Sequence, residues 1–124
     1  MTNQIKNPKS QKQYNLGERT AVFGENIIEF AIALPETNVN KPLINQIVRS
    51  GSSVGANYME ADGAESKKDF RHKISLSKKE SKETMYWLRM IARANPTKKD
   101  ICRKLWQEAH ELALIFAAIT QQKN

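Results

Sequence analysis

The stretch from Ser66 to Asn95 constrains the fold more than any other, because it holds no glycine or proline and has a defined start and stop. Ser66-Lys67-Lys68-Asp69 is a capping-box pattern, a hydroxyl placed to accept from an orphan amide with a carboxylate three residues on. At the other end Pro96 cannot continue a helix and biases Asn95 toward extended backbone. About 28 residues can therefore run as one helix of roughly 42 Å. Wound at about 100° per residue, Phe70, Ile74, Ser77, Ser81, Thr84, Leu88 and Ile91 form a seam that is apolar at both ends and small and polar in the middle. Lys67, Arg71, Lys78, Lys82, Arg89 and Arg93 fall on one flank of that seam. Asp69, Glu80 and Glu83 fall on the other, with Lys73, Leu76 and Trp87. Opposite charge on the two flanks suits a neighbour on each side.

The rest of the chain predicts three more helices. Residues 1–14 are polar without periodicity and read as a mobile tail. Asn15 followed by Glu18 is a second cap pattern; Phe23, Ile27, Phe30 and Leu34 then repeat at helical spacing up to Pro35, a helix over about 16–34. A second helix covers about 41–62, with Asn40 able to cap it and Gly63 available as a left-handed terminating residue. Its apolar seams are Ile44, Ile47, Gly51, Val54 and Tyr58, and beside them Val48, Ser52, Gly55 and Met59. Glycine inside a helix costs up to about 1 kcal/mol against alanine, so Gly51 and Gly55 imply close packing of another helix. By size alone, the small middle of the long helix is its natural partner. Thr97-Lys98-Lys99-Asp100 is a cap pattern opening a fourth helix over about 98–121, with Ile101, Leu105, Leu112, Ile115 and Ile119 as its main seam. From Leu112 onward that helix is apolar nearly all round, more than one bundle buries easily. With short turns, no β-alternation and no repeat, residues 15–122 read as a single all-α domain, an up-down-up-down four-helix bundle.

Charge and cysteine usage bound the partners. A net charge of +7 and a pI near 9.6 admit nucleic acid or anionic surfaces without requiring them. The single cysteine, Cys102, excludes an internal disulfide and fits a reducing compartment. The N-terminus lacks the apolar core of a secretory signal, and the run Leu112 to Ile119 falls far short of the roughly 20 residues a membrane span needs. A soluble, cytoplasmic protein without membrane contact is expected.

No residue set demands a reaction. Asp69 and His72 match half of a di-metal carboxylate bundle motif, but the second copy is missing, and the other histidine, His110, sits in Gln107-Glu-Ala-His110. Two surface histidines are the simpler reading, and neither metal nor cofactor is expected. Asn57, Glu60, Asp69, Lys73, Glu80 and Glu83 read as a structural polar network at a helix junction and subunit contact. No nucleophile–base set and no glycine-rich phosphate loop accompanies them, so no catalytic residue is assigned. Lys67, Arg71, Lys78, Lys82, Arg89 and Arg93 have the electrostatic footprint of phosphate binding; the competing readings are a solvated flank or one side of a subunit interface. The nearest aromatic is Tyr86, which gives little basis for stacking on single strands.

Together, Arg49-Ser50-Gly51, Ala56-Asn57-Tyr58-Met59-Glu60-Ala61, Glu65-Ser66-Lys67-Lys68-Asp69-Phe70 with Lys73, and Lys79-Glu80, Glu83-Thr84 and Tyr86-Trp87-Leu88 resemble the bacterial four helix bundle protein family. That family includes the protein encoded in intervening sequences of 23S ribosomal RNA genes. The resemblance spans about residues 17–120. It implies a four-helix bundle assembling as a ring-like homopentamer without established catalysis. It also implies kinship with the accessory variability determinant of diversity-generating retroelements, a pentameric barrel thought to bind nucleic acid and reverse transcriptase. The chain departs from the ribosomal-RNA group where it reads Ala56-Asn57-Tyr58-Met59-Glu60-Ala61. The expectation is thus a non-enzymatic homo-oligomer that binds RNA or DNA through phosphates. Its alternatives are a protein-binding scaffold or accessory subunit and, last, a di-metal carboxylate enzyme.

Overall fold

The computed structural model describes residues 15–122; the expected tail, residues 1–14, lies outside them. Among the described residues the secondary structure is helical throughout: α1 Leu16–Ile32, α2 Asn40–Asp62, α3 Lys67–Ala94 and α4 Lys99–Gln121, with a 3-10 turn Pro96–Lys98 between the last two. Consecutive helices pack as antiparallel neighbours, while α1 touches α4 only sparingly. The result is a four-helix bundle.

The helix starts follow local chemistry, with two exceptions. Asn15 accepts from the Glu18 amide at 3.0 Å, and Ser66 accepts from the Asp69 amide at 3.0 Å. Asn40 does not cap α2. Its own amide is held by Thr37 Oγ1 at 2.9 Å, and its side chain pairs reciprocally with Asn95, each amide nitrogen donating to the other's oxygen at 2.9 Å. This buried pair ties the start of α2 to the end of α3. Nor does Thr97 cap α4: the 3-10 turn begun by Pro96 leads into α4 through Lys98 without a side-chain cap.

The helix ends carry two differences. α1 stops at Ile32, short of Leu34, because the residues before Pro35 tighten into a turn in which the Leu34 amide donates to the Ala31 carbonyl. Gly63 terminates α2 with φ −97°, not in the left-handed region.

The core runs through Phe23, Ile27, Ile47, Val54, Ile74, Leu88, Ile91, Leu105, Leu112 and Phe116, all essentially inaccessible. The small middle of α3 is sealed by hydrogen bonds. Ser77 Oγ donates to the Val54 carbonyl at 3.0 Å, and Thr84 Oγ1 lies 2.8 Å from Ser50 Oγ. These bonds seat α2 closely on α3.

The glycines of α2 face α1, not α3. A Cβ on Gly51 would lie 2.8 Å from Ile27 Cγ2, and one on Gly55 would lie 3.2 Å from Thr20 Oγ1. Size alone could not choose between two small-residue neighbours, and α1 contributes its own, Gly24, against the Gly51 carbonyl. The second apolar seam of α2 is also less buried than its pattern implies, since Ser52 and Met59 are exposed.

Because α1 and α4 barely meet, Ile101, Ile115 and Ile119 stay half-buried; the buried stripe of α4 centres on Cys102, Leu105, Ala109, Leu112, Ala113 and Phe116. Arg19 bridges α1 to α4, buried and bonded to Glu108 at 2.8 and 2.9 Å and to Glu111 at 2.9 Å. These carboxylates hold its guanidinium above the ordinary arginine value, the Glu108 hydrogen bond foremost.

Candidate nucleic-acid interface

α3 carries nine Lys/Arg and three Asp/Glu, a net of +6 on one helix out of +7 for the chain. The structure places its two signs of charge in different environments.

The acidic flank is spent inside the chain. Arg49 of α2 reaches Glu80 at 3.2 Å and also pairs with Glu83, while Trp87 Nε1 donates to Glu83 at 2.9 Å. The Trp87 hydrogen bond and then Arg49 pull the Glu83 carboxyl below its ordinary value. Two turns before Glu80, Lys73 meets Glu60 of α2 at 2.7 Å, and that partner raises the Lys73 ammonium. The six residues expected as one network are thus divided. Glu80 and Glu83 belong to Arg49, and Glu60 belongs to Lys73. Asn57 bonds its own helix at the Ser53 carbonyl, and Asp69 lies in the first turn of α3. Arg49 is the member that the sequence reading missed, since nothing in the pattern links it to carboxylates on another helix.

The basic flank is unmatched. Lys67, Arg71, Lys82, Arg89 and Arg93 are exposed and Lys78 is half-buried, and none of the six makes an ion pair among the described residues. Lys68 and Lys79 are exposed too. At about 100° per residue they extend the cationic surface around the outward pole of α3, where Tyr86 also stands. The flank pattern pointed to only one edge of this face.

Other chemistry is sparse. No three His, Cys, Asp or Glu side chains among the described residues are grouped to hold a metal ion. His72 is exposed and His110 stacks on Trp106. Burial pushes the Cys102 thiol up to about 11, so it is a poor nucleophile. A depression of about 450 Å³ beside the α1–α2 connection is lined by Glu36, Thr37, Asn38, Lys41, Ile44 and Asn45, with no histidine, serine or cysteine among them. No helix among the described residues is long and apolar enough to cross a membrane.

The model of the 23S rRNA-intervening sequence protein family matches residues 12–118. The chain belongs to that family. Its fold is similar to the crystal structure of a protein with unknown function from the S23 ribosomal protein family of Bacteroides thetaiotaomicron. The two are 28% identical with a TM-score of 0.76, over 86% of this chain and 99% of that one. No curated protein matches. The relative shares the fold, and neither its description nor the family's assigns an activity.

Proposed function

We propose that this family member is a non-enzymatic bundle protein that binds RNA or DNA through backbone phosphates, with little sequence preference, and does so as a ring-shaped homo-oligomer. The observation that carries the reading is the division of charge on α3. Glu80 and Glu83 are matched by Arg49, and among the described residues the outward cations make no ion pair. Unmatched lysines and arginines along one straight helix fit a polyanion, whose counterions are released as each phosphate is neutralised.

Self-association is supported by apolar surface left uncovered. Ile32 is 78% and Leu114 56% exposed, and Ile115 and Ile119 are half-buried. Five copies is the number the family resemblance implies. Repeating the cationic face around a ring would raise the effective concentration of weak sites. A second reading, a protein-binding scaffold, is favoured by Ile28 and Ile32, an exposed ridge one turn apart on α1.

Titration of labelled RNA and DNA at low and moderate salt, with light scattering on the same samples, tests the proposal. Binding at low salt and a mass of several chains are expected. Absence of binding at low salt would leave the scaffold reading, and a monomer mass would remove the ring.

A further inference from the structure

α3 and α4 form an antiparallel hairpin closed by the turn at Pro96–Lys98. On α4, Glu108 and Glu111 reach Arg19 of α1, so the opposite flank of α4 turns toward α3. Trp106 and His110 lie on that opposite flank, one turn apart. Their rings are stacked, with centroids 5.2 Å apart and planes inclined by 27°. Trp106 keeps 36% of its surface in solvent, and His110 is half-buried. Positions equally far from the turn face one another in such a hairpin, which sets Trp106 level with Leu88 and Arg89, and His110 level with Thr84 and Met85, with Lys82 less than a turn away. The aromatic pair therefore borders the basic flank of α3. Arg103, one turn before Trp106, is exposed but already paired with Asp100 at 3.5 Å, so the cations of this groove come from α3.

We infer that this α3–α4 groove selects single-stranded over duplex nucleic acid, with the Trp106–His110 pair as a base-stacking platform beside the phosphate-binding cations. The inference rests on the nucleic-acid reading proposed above and adds the ligand class. A duplex offers this surface only its phosphates, because its bases are already stacked and paired. An unpaired base can lie on an indole, and any base will serve, since each has a π-face. The stack with His110 holds the indole in place before the ligand arrives, so less ordering is needed on binding.

The test compares a single-stranded oligonucleotide, as RNA and as DNA, with the duplex of the same sequence. The proteins are wild type, Trp106→Ala and Trp106→Phe, each checked for an unchanged helical spectrum. Trp106→Ala should weaken single-strand binding about ten-fold or more and leave duplex binding unchanged, with Trp106→Phe close to wild type. If RNA and DNA lose affinity equally, the bases and not the 2′-hydroxyls are read. A second measurement does not depend on the alanine variant folding. Trp87 and Trp106 are the two tryptophans, so in Trp87→Phe the remaining fluorescence should be quenched by single strands and not by duplex. Equal affinity for both forms, or single strands that bind without quenching, would overturn the stacking platform alone. Absence of binding to either form at low salt would overturn the underlying reading with it.

Discussion

The two flanks of α3 both carry charge, and the charges meet opposite fates. On the flank facing α2, Glu80 and Glu83 are met by Arg49, and Lys73 by Glu60, so the charges fix how two helices sit together. On the outward flank, Lys82, Arg89 and Arg93 make no ion pair among the described residues. Ion pairs of this exposure are each worth only about 0–1 kcal/mol, so the fold would lose little without the outward cations. The comparison teaches where to look for a partner: at charge the fold leaves unmatched, not at charge as such.

The strongest way to break the comparison is to push α2 off its seat. In Gly51→Leu the new side chain meets Ile27 where even a Cβ would lie 2.8 Å away, and overpacking typically costs about 1–3 kcal/mol, occasionally more. Denaturant melts should show a loss at the upper end of that range. Gly55→Ala faces Thr20 at 3.2 Å and regains up to about 1 kcal/mol of helix propensity, so it should stay near wild type. A Gly51→Leu variant as stable as wild type would mean that α1 yields freely to α2.

A smaller effect sharpens the acidic flank. Arg49→Ala should cost about 0.5–1 kcal/mol, since the guanidinium is half-exposed and screened. The same variant should alter the pH dependence. Glu83 has its folded value depressed below the ordinary 4.5, by Trp87 first and Arg49 next. It therefore contributes stability that is present above about pH 4.5 and is lost as pH falls through the folded value. Wild type should lose this stability as pH falls below about 4.5, and both Trp87→Phe and Arg49→Ala should lose less of it. Identical pH slopes in all three would detach Glu83 from this account.

Much of α3 could be read from the chain itself. Its start needs only Ser66 and Asp69, its stop only Pro96, and its buried stripe only the four-three spacing, all local properties. What escaped reading involved residues far apart in sequence. Which helix fills the space left by Gly51 depends on where α1 carries Gly24 and Ile27. Asn40 has the chemistry of a cap, but the better partner was Asn95 at the far end of another helix. Arg49 and its glutamates are 31 and 34 positions apart. Trp106 reads as an ordinary surface residue of α4 until the hairpin sets it beside the cations of α3.

The most direct measurement is the dependence of nucleic-acid affinity on salt for wild type and for Lys78→Glu/Lys82→Glu. The double variant should melt with wild type to within about 0.5 kcal/mol, because neither lysine makes an ion pair among the described residues. It should bind more weakly, and its log–log salt slope should be shallower by roughly 1.4 on single strands and 1.8 on duplex, the loss of two phosphate contacts. An unchanged slope, or a double variant that unfolds or sheds its subunits, would contradict the account and assign the outward flank to structure.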